Sequence, residues 1–164
     1  MAIKSRSRTS KTLTSIDENH LKTNLYRKPM SDKTLVLRAF NTHFFEFLDD
    51  ISSILPDNVD IATSKKSFEL YKKANPTILI KLLYSYIYAP YAEIIDAGDL
   101  NFFIEKDYSS DVSSLANARD VLNAIDKLRN PIKEMSDVNR KHSLEYIQNL
   151  CKLSSMYNLT VVMP

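Results

Sequence analysis

The chain has 164 residues, of which 44% are hydrophobic and 26% are charged, a composition that fits one globular domain with an attached tail. It contains a single glycine, whereas average usage would give about eleven. Because phosphate-binding loops, dinucleotide fingerprints and tight β-hairpins all need glycines, the composition excludes those sites. One cysteine cannot form an internal disulfide, and three histidines with one cysteine at unrelated spacings predict no zinc site.

Charge is unevenly distributed along the chain. Residues 1–30 carry a net charge of +5, and the remaining residues carry −3. Since the first segment is rich in Ser, Thr, Lys and Arg, we interpret 1–30 as an extended or disordered basic arm. Its cations could bind nucleic-acid phosphates or an acidic protein surface, or could remain in solvent. We expect partner binding from Lys4, Arg6, Arg8, Lys11, Arg27 and Lys28.

The sequence predicts neither a membrane span nor a signal peptide. No stretch approaches about 18 consecutive apolar residues, and Ala2-Ile3 is followed at once by Lys4. A soluble intracellular protein is therefore expected.

Helical periodicity begins near Ser31. Apolar residues at steps of three and four predict a first helix that Ser31 or Asp32 caps and Pro56 ends. A second helix is predicted to begin with Asp57 or Asp60 as its cap and to end before the next proline.

A third helix is predicted over residues 78–88, which are apolar nearly all round and should form the central helix of the core. Pro90 is expected to kink or break this helix. After it resumes, Gly98 should end the helix in a left-handed conformation, and Asp99 should cap a short helix that follows.

Two further helices complete the predicted body. The first of them is expected to break around Asn130-Pro131, and the second should run from about Ser136 to a cap at Asn158. The final helix should face the core through Leu144, Ile147, Leu150, Cys151 and Met156.

The predicted fold class is all-α: an irregular bundle of five to seven helices over residues 31–158, between the basic arm 1–30 and an apolar, β-prone tail 159–164 that is too short to form structure unaided. We expect a single core formed by Phe40, Phe44, Phe47, Ile51, Leu79, Leu83, Ile87, Leu122, Ile125, Ile147 and Leu150.

Acidic residues cluster in two runs, Glu46–Asp60 and Glu93–Asp111. Paired carboxylates could perform acid–base chemistry or bind a cation, but we interpret both runs as solvated acidic surfaces, since charges are expected on the polar side of a helix. Nothing in the spacing brings His43 to Cys151 as a nucleophilic pair, and no serine lies in a nucleophile motif. We therefore predict no enzyme and no catalytic, metal or cofactor site.

Four tyrosines follow one another closely in the third predicted helix. On an α-helix, Tyr84, Tyr88 and Tyr91 would share one face, with Tyr86 opposite. Tyrosine is enriched at protein interfaces, so Tyr84, Tyr88 and Tyr91 are predicted to bind a partner; a core helix with hydroxyls at its boundary is the alternative.

Four segments of the chain carry a family resemblance: Phe40–Asn58 (FNTHFFEFLDDISSILPDN), Lys72–Pro76 (KKANP), Gly98–Tyr108 (GDLNFFIEKDY) and Tyr146–Leu150 (YIQNL). They resemble a family of small helical proteins of large nucleocytoplasmic DNA viruses of algae and amoebae. The resemblance covers roughly residues 35–157 and contains no catalytic motif. It implies a virion component, such as a minor capsid or assembly protein whose arm links neighbouring subunits.

The expected partners are other virion or capsid proteins and further copies of the chain, in the virion or in the host cytoplasm during assembly. A nucleic-acid-associated packaging or regulatory protein that binds through the arm is the alternative.

Overall fold

The computed structural model describes residues 32–162, with the backbone alone for Leu100, Val161 and Val162. The predicted arm, Ser31, Met163 and Pro164 lie outside the described residues. Within them the chain forms six helices and no strand, which confirms the predicted all-α bundle. The helices are α1 (Asp32–Ile54), α2 (Val59–Ala74), α3 (Ile78–Asp96), α4 (Leu100–Glu105), α5 (Ala118–Lys133) and α6 (Asp137–Val162).

The boundary between α1 and α2 follows the prediction closely. Helix α1 ends two residues before Pro56, as expected from the bias of a proline against helix in the residue before it. The cap of α2 is Asn58, whose side-chain oxygen accepts a hydrogen bond from the Ile61 N–H at 3.0 Å. Asp57 and Asp60 were the wrong choices, because the extended backbone that a cap needs occurs at Asn58.

Helix α3 is composite. It is α-helical over Ile78–Leu82, π-helical over Leu83–Tyr88, 3₁₀-helical over Ala89–Tyr91 and α-helical again over Ala92–Asp96. Because Pro90 has no N–H, the α-helical bond pattern cannot pass through it, and the preceding turn widens so that the Ala89 N–H donates to the Tyr84 carbonyl. Proline thus distorts the helix here, as predicted, without ending it.

The prediction that α3 is the central helix is wrong. Only 22% of this apolar stretch is buried, whereas α1 and α6 make the most extensive helix–helix contact in the bundle. With 19 residues and a mean hydropathy of 1.2, α3 is the one helix among the described residues long and apolar enough to cross a membrane. Helices of soluble bundles meet the same criteria, so the absence of a membrane span stays a prediction.

The last two helices both run further than predicted. Helix α5 continues through Asn130-Pro131 to Lys133, since a proline so close to a helix end removes few bonds and its ring is buried. Helix α6 continues past Asn158 to Val162, so Leu159–Val162 is helical. With the helix already nucleated and no glycine or proline in the way, each added residue costs little.

The predicted core is largely confirmed, with a few shifts at its edge. Leu83, Leu122 and Ile125 are only half-buried and pack against the core from outside. In α6, Met156 is 51% exposed, and Tyr157 is buried in its place. The reason is helical phase: steps of three from the buried Cys151 lead to Ser154 and Tyr157.

Candidate functional site

An acidic cleft lies between the α1–α2 turn and helix α5. Its volume is about 360 Å³, and most of its lining side chains carry hydrogen-bond acceptors. The lining consists of Leu55, Asn58, Asp60, Asn123, Asp126, Lys127, Asn130, Pro131 and Glu134.

The helical repeat of α5 builds one wall of the acidic cleft. Four of its polar residues follow one another at steps of three and four, which places them along one side of the helix and its C-terminal end. They are Asn123, Asp126, Asn130 and Glu134. Opposite them, the cap at Asn58 fixes where α2 starts, and α2 contributes Asp60 from its first turn. Two segments far apart in sequence therefore share one polar cleft.

The charge of the acidic cleft is negative on balance. Its three carboxylates, Asp60, Asp126 and Glu134, stand against a single cation, Lys127. Asp126 is bound by the Arg129 Nε at 2.8 Å, whereas Asp60 and Glu134 have no ion-pair partner among the described residues. The cleft is therefore suited to a cationic side chain that donates several hydrogen bonds.

A proline adds one more acceptor to this wall. Pro131 has no N–H to offer the carbonyl oxygen of Lys127, which lies four residues earlier in α5. That oxygen lacks its ordinary helical donor, and both residues line the acidic cleft. Sequence reasoning interpreted this proline only as a helix breaker.

The rest of the first predicted acidic run is largely paired within the protein. Asp49 is bound by Lys65, and Asp50 lies 3.4 Å from the Nε2 of His142. Glu46 lies 3.5 Å from the Nδ1 of His43. Of this run, the acids with no such partner in the described part of the chain are Asp57 and Asp60.

The second predicted acidic run is also used mainly inside the fold. Asp99 caps α4 by accepting from the Phe102 N–H at 3.0 Å, which confirms that prediction, and Glu105 binds the Lys133 ammonium at 2.7 Å. Asp107 accepts hydrogen bonds from the hydroxyl and the backbone N–H of Ser109, and these bonds lower its pKa. These three residues therefore stabilise local structure.

Asp111 is the centre of a polar network that the sequence did not suggest. The Lys106 ammonium lies 3.2 Å from Asp111 Oδ2 and over the rings of Tyr91 and Tyr108, at 5.0 and 5.8 Å from their centroids. The Tyr91 hydroxyl and the Asp111 carboxylate raise the pKa of Lys106. Burial raises the pKa of Tyr108, against whose ring the Arg129 guanidinium also packs. The network holds the irregular connection between α4 and α5 against the helical bundle.

The three tyrosines predicted to bind a partner are all partly buried, and two of them lie side by side. The rings of Tyr84 and Tyr88 lie 6.2 Å apart, and the Tyr88 hydroxyl donates to Asp96 at 3.1 Å. Burial, and then the Asp96 carboxylate, raise the pKa of Tyr88. The hydroxyl of Tyr91 donates instead to Asp111 at 2.6 Å. The π-helical and 3₁₀-helical turns change the phase of α3, so a face drawn with α-helical spacing does not apply here.

His43, His142 and Cys151 have different surroundings in the described part of the chain. The rings of His43 and His142 both pack against the ring of Tyr146, with centroids 4.8 and 5.2 Å away. Burial, with a smaller effect of Asp96, raises the pKa of Cys151 to about 12, so its nucleophilic thiolate form is scarce. In the described part of the chain, no group of three or more His, Cys, Asp or Glu side chains could hold a metal ion.

The six cationic arm residues predicted to bind partners lie outside the described residues, so their role stays a prediction. No protein-family model, curated protein or solved structure matches the chain. The resemblance to helical proteins of large DNA viruses therefore stays a hypothesis drawn from the sequence.

Proposed function

We propose that this chain is a non-enzymatic assembly protein whose basic arm, residues 1–30, binds in the acidic cleft of a neighbouring copy. The observation that carries the proposal is charge complementarity. The arm has a net charge of +5, and the cleft offers Asp60 and Glu134 without an ion-pair partner among the described residues. A Lys or Arg side chain of the arm would supply the donors that these carboxylates accept.

The contact is expected to act mainly through electrostatics. Asp60 and Glu134 are exposed residues. Each ion pair with an arm cation therefore contributes little binding free energy by itself and is screened by salt. Several cations along one arm can engage the cleft together, and their summed field speeds encounter and selects the partner. Binding through an arm of this kind links subunits without a large rigid interface.

The viral setting of the proposal rests on the sequence resemblance alone. A small helical body with a cationic arm suits a minor capsid or other structural protein of a virion, where the arm would reach other virion proteins or a further copy. In that setting the protein would be found in the virion, and in the host cytoplasm during assembly.

Sedimentation of the full chain tests the proposal. At low salt the chain should self-associate, and the association should weaken about tenfold in the double variant Asp60→Asn/Glu134→Gln. The triple variant Arg6→Ala/Arg8→Ala/Lys11→Ala should lose association similarly. The matched control is Glu69→Gln/Glu93→Gln, which neutralises two exposed acids outside the cleft and should behave as the wild type. A chain that stays monomeric, or a cleft variant that associates like the wild type, would overturn the proposal.

The same uneven charge favours a second candidate, a nucleic-acid-associated protein that binds through the arm. Duplex DNA titrated into the full chain separates the two. Tight binding that falls steeply with salt and disappears when residues 1–30 are removed supports this second candidate, because the arm cations then release counterions from DNA. Weak binding that is unchanged by the truncation counts against it.

A further inference from the structure

An apolar cavity of about 130 Å³ lies between α1, α2, α3 and α5 and shares no lining residue with the acidic cleft. Apart from a few polar groups, its wall is made of aromatic and aliphatic side chains. The apolar wall comprises Phe40, Phe44, Phe68, Ile78, Leu79, Leu82, Leu83, Ile87, Val121, Ala124, Ile125 and Leu128.

The π-helical turn of α3 forms part of this wall. Leu83, Tyr86 and Ile87 all belong to it and all line the cavity. A π-helical turn is rare and occurs frequently at functional sites. The apolar space therefore lies beside the most irregular turn of the bundle.

The degree of burial shows where the cavity opens. Asn117 and Asp120 are exposed, and Tyr71 is 42% exposed, although all three line the cavity. They mark a polar entrance to an apolar interior. Leu83 and Ile125, which the sequence placed in the core, are half-buried because the space beside them is not filled by protein.

We propose that this cavity binds a small uncharged apolar ligand, the size of one aromatic ring or a short alkyl chain. A dry cavity of about 150 Å³ lined by Leu, Ile and Phe is large enough for benzene, and this cavity has a similar size and lining. The lining holds no cation, and its one charged group is the Asp120 carboxylate at the entrance. The cavity therefore disfavours anions such as fatty-acid carboxylates, and it tolerates a single hydroxyl or amine directed at the entrance.

Benzene is the probe for the test, with methyl NMR of the full chain as the readout. Benzene should shift the methyl signals of Leu79, Leu83 and Ile87 and leave those of the exposed Leu35 and Leu70 in place. It should also raise the melting temperature, because it binds the folded state alone. Benzoate, the anionic relative of benzene, should bind at least about tenfold more weakly.

Two filling variants and one control complete the test. Ala124→Leu and Leu83→Phe each add carbon to the cavity and should abolish the benzene response, provided that circular dichroism shows a folded helical protein. Ala62→Leu adds the same carbon at an exposed site of α2 and should respond like the wild type. The proposal is wrong if benzene moves no cavity methyl signal up to its solubility limit, or if a folded filling variant responds as the wild type does. Equal affinity for benzoate would overturn the assignment of an uncharged ligand.

Discussion

The Tyr91 hydroxyl donates a 2.6 Å hydrogen bond to Asp111 Oδ1, and this bond joins the end of the distorted part of α3 to the irregular connection before α5. The side chain of Asp111 is only 17% exposed, and its other oxygen lies 3.2 Å from the Lys106 ammonium. The hydrogen bond from Tyr91 and the ion pair with Lys106 compensate this carboxylate for the water it has lost. Much of what holds the connection in place therefore depends on Tyr91.

Replacing Tyr91 by Phe should lower the free energy of unfolding by about 1.5–3 kcal/mol, because a hydrogen bond to a nearly buried charged group is lost while the ring remains. Urea denaturation followed by circular dichroism measures the change. Tyr84→Phe is the matched control, since among the described residues Tyr84 makes a ring contact and no hydroxyl bond, and it should change stability by less than about 0.5 kcal/mol. Equal losses in the two variants would contradict the importance of the Asp111 bond.

Gly98 should be intolerant of a side chain for conformational reasons. Its φ of +85° confirms the predicted left-handed end of α3, a conformation that costs an L-residue about 1–2 kcal/mol. A Cβ atom would lie 3.6 Å from Gln148 Nε2, an ordinary contact, so no clash adds to this cost. Gly98→Ala should destabilise by about that amount in thermal denaturation. Gly98→Asn should lose less, because asparagine tolerates this conformation; a larger loss for Asn than for Ala would contradict the explanation.

Two core substitutions should differ in cost because the two side chains are buried to different degrees, although both line the apolar cavity. Phe44 is 8% exposed and packs edge-on against Phe68 at 5.1 Å, so Phe44→Ala should cost about 3–5 kcal/mol. Leu83 is only half-buried, so Leu83→Ala removes less apolar contact and should cost only about 1–2 kcal/mol. Chemical denaturation of both variants checks the order. A cost for Leu83→Ala that equals the cost for Phe44→Ala would show that Leu83 is packed as a core residue.

Cys151 should be nearly inert while the protein is folded. Burial raises its pKa from the ordinary 9.0 to about 12, so its proton is retained at pH 8 and alkylation by iodoacetamide should be slow. Urea should speed the reaction in parallel with unfolding. Rapid labelling of the native protein would contradict the buried placement.

The same shift of the Cys151 pKa sets a pH dependence. The unfolded chain loses the thiol proton near pH 9, and the folded chain keeps it until about pH 12. The stability that depends on this proton is present below pH 9 and is lost as the pH rises towards 12. Unfolding free energies should therefore fall more steeply over this range for the wild type than for Cys151→Ala. Parallel slopes for the two proteins would count against the raised pKa.

Local signals in the sequence were enough to predict most of the fold. Apolar spacing with a following proline predicted α1, and the only glycine of the chain marked the end of α3. Met156 was misplaced because apolar spacing allowed two phases at the end of α6, and the extension of α6 was missed because Asn158 is a residue type that also ends helices.

The candidate site was much less predictable. The notion of an acidic surface near Asp60 came from the sequence, but its partner Glu134 lies more than seventy residues away and meets it only through the packing of α2 and α5. The apolar cavity was equally hidden, because its wall residues carry the same pattern as a filled core. Periodicity shows which side of a helix is apolar and leaves open whether the space beside it is filled.

The π-helical turn at Leu83–Tyr88 has a consequence for how this chain can change in length. Such a turn accommodates one residue more than an α-helix would use, so an inserted residue is absorbed within the turn and the flanking segments keep their orientation. Deleting the exposed Ser85 should accordingly return the turn to α-helical geometry while Ile80 and Ile95 remain directed inward. The same deletion in the middle of α1 would rotate all later core residues by about 100°. Natural variation in length is therefore expected to concentrate in this one turn of α3.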